Sequence, residues 1–456
     1  MDRRRFLAAG LAAAATPLLL TTDPVRAGVR QRVPAPTASL VTRWDTDPWS
    51  RGSYSALPVG TSPAVRRTLA DAIVGGRIAL AGEYASTQYP STTTGAYLSG
   101  RHAARRLLDR VNARTAVVIG AGMAGAAAAQ ALTSAGIDVT VLEARDRVGG
   151  RIWSNEQWGV PVELGAAWIH GTGGNPLVPL ARAASLGLVP TDYDDAVARD
   201  TVTGARSARA EARWDRLDRL LEQLGEAWPP RSVSVAEWLD RQGWTTDRID
   251  SWAAQVEVTQ EYALDPSRLG VRATEEGATY RGGDVMVAGG YVTIVDTLLD
   301  GIDVRTGAIA ESATVRGSSV NVALRSGDRM SADIAVVAVP LALVRAEAPA
   351  IPDMSGGVRR ALRGLVTGVF EKVVLRYDEP WWGDRQVYGV VGGGAPGAPA
   401  GSLASLRWTE FYPLTNVLGF PALVGFSGGR AARTRPASDT GCVAEATAAL
   451  TAAFAR

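Results

Sequence analysis

Between Arg114 and Arg151 the sequence leaves little freedom of fold. Residues 116–119, Ala-Val-Val-Ile, are short, β-branched and bounded by glycine, which predicts a buried parallel strand. Gly120-x-Gly122-x-x-Gly125 follows, then alanines and Leu132, the pattern of a close-packed helix. In such a turn Gly120 permits the tight bend, Gly122 lets backbone N–H groups approach a pyrophosphate, and Gly125 lets helix and strand pack closely. The helix N-terminus then faces the anion. A second predicted strand, Asp138–Leu142, ends at Glu143, about 20 residues on, where an acid can hydrogen-bond a ribose hydroxyl. Three glycines alone are weak evidence. With strand, helix, strand and acid around them they predict an α/β domain that binds a dinucleotide.

At 456 residues the chain is long enough for two domains with sizeable cores. A net charge of +2 gives no support for a nucleic-acid partner. The single cysteine, Cys442, excludes an intrachain disulfide framework and a cysteine metal cluster. The two histidines, His102 and His170, are too few for a histidine-rich metal site, so no metal is expected. Of 48 basic residues only Lys372 is lysine, and every other one is arginine. The surviving lysine therefore reads as a place where arginine does not serve, with a solvated lysine on a strand as the alternative. Arginine cannot deprotonate, and its planar fork suits a carboxylate better than a single water.

Arg3-Arg-Arg-Phe-Leu7 precedes an apolar run ending at Leu20, and Ala27 offers a small residue for cleavage. This predicts a twin-arginine export signal over residues 1–27 and a periplasmic or secreted protein. The apolar run is shorter than the about 20 residues needed to span a bilayer, so no stable membrane span is expected after its removal. Residues 28–40 read as a linker.

The pattern Glu143-Ala144-Arg145-x-Arg-x-Gly149-Gly150-Arg151 resembles the flavin amine oxidase superfamily, in its polyamine oxidase-like branch. The resemblance covers nearly everything from residue 41 onward. It implies an α/β, FAD-binding Rossmann-like fold of the two-dinucleotide-binding-domain flavoprotein type, with a mixed α+β substrate domain. The order is unusual. Trp44, Asp47-Pro48, Gly52-Ser-Tyr-Ser55, a strand over 75–83 and a helix over 96–109 resemble the family's carboxy-terminal part, yet lie upstream of Gly120. The alanine-rich helix at 444–454 resembles the one that directly precedes that part in the family. A circularly permuted order is therefore expected. It has the family's carboxy-terminal part at 41–113, the Rossmann core at 114–175 and a mostly helical substrate domain at 176–279. The FAD domain continues over 280–340 and the substrate domain over 341–456. The rival arrangement has the two blocks serving different copies in a swapped oligomer.

The resemblance also implies roles. Arg151 with Gly149 and Gly150 would approach the phosphates. Met123, Ala124, Ala144, Arg145, Gly165, Ala166, Ala167, Trp168, Ile309, Gly82, Ser91 and Thr93 would line the cofactor. Glu83 ends a buried strand, where an unpaired carboxylate is costly. Ribitol hydroxyls would satisfy it, with a structural ion pair as the alternative. Lys372 would hold a water beside the flavin, and His170 would contact or orient the amine or serve only structurally. His102, in an arginine-rich helix, reads as solvated. Tyr89 and Thr92 stand where monoamine oxidases set two aromatic rings, so only one ring is expected across the flavin face, near the substrate. Trp408, Phe411 and Tyr412 would line the substrate tunnel. Residues 60–83 hold no cysteine, so FAD is expected to bind non-covalently. The implied reaction is oxidation of an amine to an imine and aldehyde, with O2 reduced to H2O2. An L-amino-acid oxidase or other flavin oxidoreductase of the same fold, and an inactive flavin-binding protein, are the alternatives.

Overall fold

The structure, a computed structural model, describes residues 33–276, 280–392, 402 and 404–455. The predicted signal and the linker as far as residue 32 lie outside the described residues. Thr115–Ile119 and Asp138–Leu142 are parallel neighbours, with Val118 beside Val141 and Ile119 beside Leu142. The Met123–Ser134 helix connects them, starting at residue 123 directly after the glycine turn. The six-stranded sheet runs Asp303–Arg305, Asp138–Leu142, Thr115–Ile119, Ile334–Val337, Ile78–Leu80, Ile73–Val74. All pairings are parallel except the last. Val117, Val118, Val336 and Val337 are buried although they alternate in direction, as expected of a parallel strand covered on both faces.

Ile78–Leu80 belongs to the upstream block, yet it lies in the same sheet, with Leu80 beside Val337 and Val337 beside Ile119. The next helix, Thr93–Leu108, packs on Met123–Ser134 through small residues. A Cβ at Gly100 would come 2.0 Å from the Ala124 carbonyl oxygen. One chain thus joins the two blocks.

A seven-stranded sheet forms the second layer, and Phe370–Arg376, Ala422–Gly428, Glu410–Pro413 and Val387–Val391 are consecutive neighbours at its centre. The two-residue strand period divides its side chains. Phe370, Lys372, Tyr412 and Phe426 face the first domain. Val373, Leu375 and Phe411 pack on the other side, with Cys442, Ala446 and Leu450 of the Asp439–Phe454 helix.

Two expectations need correction. Residues 176–279 are helical mainly from Ala208–Ala227 onward. Before that, Gly187–Thr191 pairs antiparallel with Asp284–Ala288, and Ala196–Asp200 pairs parallel with Val387–Val391. Partners about 100 residues away for the first strand and 191 for the second override the local pattern. The predicted linker is already strand from residue 38, because Ala38–Val41 pairs with Phe370–Arg376. Among the described residues no helix is long and apolar enough to cross a membrane.

Candidate active site

A cavity of about 510 Å³ opens between the two sheets, lined from both. At its glycine end Gly120 has φ +104°, which an L side chain rarely adopts. A Cβ at Gly125 would stand 1.8 Å from the Gly120 carbonyl oxygen, so the helix sits directly on its own loop. A Cβ at Gly122 would meet nothing nearer than Gly149 O at 3.7 Å, and Gly122 lines the cavity. A methyl group there would occupy space meant for a ligand. Gly149 N donates to Ala121 O at 2.9 Å, which clamps the second glycine pair onto the first. Met123, Ala124, Ala144, Arg145, Gly150 and Ile309 complete this wall.

Glu143 accepts from Ala121 N and Arg145 N, both at 2.8 Å. Each carboxylate oxygen still has a lone pair to offer a hydroxyl. A second helix starts on the same cavity. Thr92 caps Thr93–Leu108 by accepting from Gly95 N at 3.0 Å, and Ser91, Thr92 and Thr93 are in the wall. Two helix N-termini, a glycine loop with room for an anion and an acid placed for a ribose fit a dinucleotide.

Glu83 and Arg151 line the cavity, but they answer each other. Arg151 Nη1 donates to Glu83 Oε1 at 3.0 Å and to Ser53 O at 2.6 Å, while Ser55 Oγ donates to Glu83 Oε2 at 2.6 Å. The ion pair offered as the alternative for Glu83 is therefore formed, and Oε1, with Arg151 as its one donor, keeps a lone pair on the cavity side. Arg145 likewise spends its fork on Asp47, at 2.8 and 2.7 Å, and on Ser50.

At the other end Lys372 Nζ donates to Glu163 O at 2.9 Å and Gly165 O at 2.6 Å. Its ammonium lies 5.7 Å from the Trp168 ring and 6.0 Å from Phe426. Burial holds its pKa down at about 8 against an ordinary 10.5, with the Glu163 carboxylate opposing that fall. Burial in turn pushes the Glu163 carboxyl up. Between about 8 and 10.5 the folded lysine binds fewer protons than the unfolded one, so its contribution to stability rises with pH across that window. Melting temperature against pH should show this rise in the wild type and lack it in Lys372→Met. Parallel curves would contradict it.

His170 stands in the wall, with Nδ1 2.6 Å from Asp284 Oδ2. Gly165, Ala166, Ala167, Trp168, Tyr193, Glu261, Tyr262, Phe370, Tyr412 and Phe426 surround this end. His102 is half exposed and faces Asp71 at 3.4 Å, as its solvated reading required.

Three expected aromatic contributions are displaced. Tyr89 is buried and stacks on Tyr280, ring centroids 4.2 Å apart, outside the cavity wall. Its φ of +54° is a left-handed backbone that a bulky residue rarely adopts. Trp408 and Phe411 lie in the core beneath the far side of the sheet, and only Tyr412 reaches the cavity. Trp408→Phe should therefore lower the melting temperature and leave KM for an amine unchanged. A raised KM would return Trp408 to the wall. Sequence reading missed Asp284, Tyr193, Glu261 and Tyr262. A lone carboxylate heading the apolar strand Asp284–Ala288 was the available signal.

The model of the family described as flavin containing amine oxidoreductase matches residues 21–108 and 123–455. Polyamine oxidase 3 of Oryza sativa subsp. japonica is 29% identical over 346 residues, covering 70% of this chain and 68% of that protein. Polyamine oxidase 4 of the same plant is 28% identical over 308 residues, covering 60% of this chain and 61% of that protein. A solved putrescine oxidase with putrescine bound shares the fold, at TM-score 0.58 and 21% identity, covering 75% of this chain and 81% of that one.

Proposed function

The chain belongs to the flavin-containing amine oxidoreductases, with FAD held non-covalently, and from that premise we propose that it oxidises a polyamine or monoamine to an imine. Bound in the cavity, FAD would supply the two-electron acceptor and return the electrons to O2 as H2O2. The imine then takes up water, giving an aldehyde and the shortened amine. The chain's own residues hold and orient. Trp168, Tyr412 and Phe426 exclude water and offer aromatic faces to a cationic amine. Lys372, with two protons committed to carbonyls, has a third to place a water against the reacting end. His170 would contact the amine.

The observation that carries this reading is Lys372. A chain that otherwise uses arginine keeps one lysine, buried, in the cavity that the glycine loop also lines. The lining also weighs against an L-amino-acid oxidase, which needs an arginine for the substrate carboxylate. Among the described residues the arginines that line the cavity are Arg145, Arg151 and Arg325, and each is paired with an acid. A peroxide assay with spermine, spermidine, putrescine, tyramine and L-amino acids tests the proposal. Peroxide is expected from an amine and not from the amino acids. Peroxide from the amino acids alone, or from none, contradicts it.

We infer further that the segment order is a circular permutation. In its support, residues 109–114 bridge the Thr93–Leu108 helix to the Thr115–Ile119 strand, and the Asp439–Phe454 helix packs beside Ala38–Val41. A gene with residues 33–109 moved behind residue 456 should yield folded, flavin-loaded protein, and an insoluble product would count against the inference. Export by the twin-arginine route is likewise proposed. Arg3→Lys with Arg4→Lys should trap the protein in the cytoplasm, and unaltered export would exclude that route.

A further inference from the structure

Asp284 is the buried acid least explained by the fold. Its side chain is 1% exposed and heads a strand, Asp284–Ala288, that is otherwise apolar. Burying a charge there is expensive, and a valine would pack without that cost. Three donors converge on it: Gly171 N at 2.9 Å, Tyr193 Oη at 3.0 Å and His170 Nδ1 at 2.6 Å. Burial pushes its pKa up, but His170 and the hydrogen bonds outweigh burial and hold it below the usual carboxylate value. An ionised carboxylate only accepts, so the proton of the short contact belongs to Nδ1.

The backbone holds the ring in that geometry. Trp168–Ile169 pairs with residues 285 and 286, and Asn175 Nδ2 donates to His170 O at 3.0 Å. Directly after His170 the chain turns at Gly171, φ +67°, where a Cβ would lie 2.5 Å from Tyr280 O. The imidazole, about one-third exposed, then forms part of the cavity wall.

We propose that Asp284 is a positioning residue: it holds the His170 proton on Nδ1, so that the ring, once neutral, turns an acceptor nitrogen, Nε2, toward an N–H of the amine. The amine half rests on the function proposed above, while the tautomer half stands on the hydrogen bonds that converge on an ionised Asp284. Carboxylates behind metal-bound histidines fix tautomer and orientation in the same way. Among the described residues, the other titratable groups at this end of the cavity are Tyr193, which shares Asp284, Glu261, Tyr262, Tyr412, and Lys372 with Glu163 beyond Trp168.

The two histidines make a direct test practical. His102 meets Asp71 through Nε2 and serves as the internal reference. Full-length, flavin-loaded protein with 15N-labelled histidine is read by long-range 1H–15N correlation at alkaline pH, with His102→Gln assigning the signals. His170 should carry its proton on Nδ1 and His102 on Nε2. Asp284→Asn should disturb the His170 pattern and raise KM for the amine about tenfold, the scale of one hydrogen bond, with kcat less affected. Asp284→Glu should restore part of both. In a His170→Gln background, Asp284→Asn should add almost nothing, because it acts through the missing ring. A wild-type His170 protonated on Nε2 overturns the proposal even if no variant folds. The expected tautomer with additive or absent KM effects overturns the amine half. The expected tautomer in a protein that oxidises no amine keeps the lock and rejects the functional reading.

Discussion

Replacing Lys372 with methionine should slow amine turnover by a factor on the order of 10² to 10⁴ and leave FAD bound. The side chains are similar in length, so Met fills the channel that leads to the carbonyls of Glu163 and Gly165. Two carbonyls lose a donor, a cost of about 1–3 kcal/mol, which removal of a buried amine from a low-dielectric site partly offsets. The protein should therefore fold. The glycine loop, Glu143 and the capped helix at Thr92 are untouched, so the cofactor should stay. What is lost is a buried amine that can hold a water by an N–H and, with its pKa lowered by burial to about 8, give up a proton there. Lys372→Arg should not restore the rate. Its fork is larger, always charged and shaped for bidentate acceptors. Rapid-mixing records of the visible flavin band separate reduction by amine from reoxidation by O2. A normal rate in both steps would remove Lys372 from the chemistry. Colourless Lys372→Met protein would make its role structural.

The second large effect is expected at two glycines three residues apart, with opposite outcomes. Gly125→Ala puts a methyl 1.8 Å from the Gly120 carbonyl oxygen, which is backbone and cannot swing away. Relief requires the Met123–Ser134 helix to lift off its strand. Overpacking a core ordinarily costs about 1–3 kcal/mol, and this clash exceeds the usual case because no side chain can yield. The variant should be poorly soluble and free of flavin. Gly122→Ala meets only ordinary contacts in the protein, the nearest being 3.7 Å, so it should fold with nearly the wild-type melting temperature of the apoprotein. Its methyl enters the cavity and should weaken FAD binding by at least tenfold, read by titrating apoprotein with FAD. If Gly122→Ala holds FAD as the wild type does, the phosphates do not lie against that loop. If Gly125→Ala folds normally, the close helix–strand packing is wrong.

The parts of this molecule legible in sequence are those fixed locally. Residues 116–119 announce a buried parallel strand through a β-branched run, and Gly120 announces a backbone conformation closed to other residues. Glu143 was placed by its distance along one strand–helix–strand unit. What stayed hidden depends on partners far along the chain. Gly187–Thr191 and Ala196–Asp200 are strands because Asp284–Ala288 and Val387–Val391 pair with them. Phe411 and Tyr412 adjoin in sequence but face opposite sides of a sheet, and composition does not reveal which one meets the cavity. Tyr89 adopts a left-handed φ that a bulky residue rarely takes, so no residue rule would have foreseen its stack on Tyr280. The pairing of Glu83 with Arg151 spans 68 residues, so the sequence offers an ion pair for Glu83 as an alternative and does not name its partner.

The account stands on Gly82, Glu83 and the Thr93 helix start meeting Gly120–Arg151 within one subunit, around one cofactor. Native mass spectrometry of the purified protein, diluted until single chains predominate, tests this most directly. The predicted result is one intact FAD per single chain, shed whole on denaturation. Single chains without flavin, or FAD found only where two chains travel together, would contradict it.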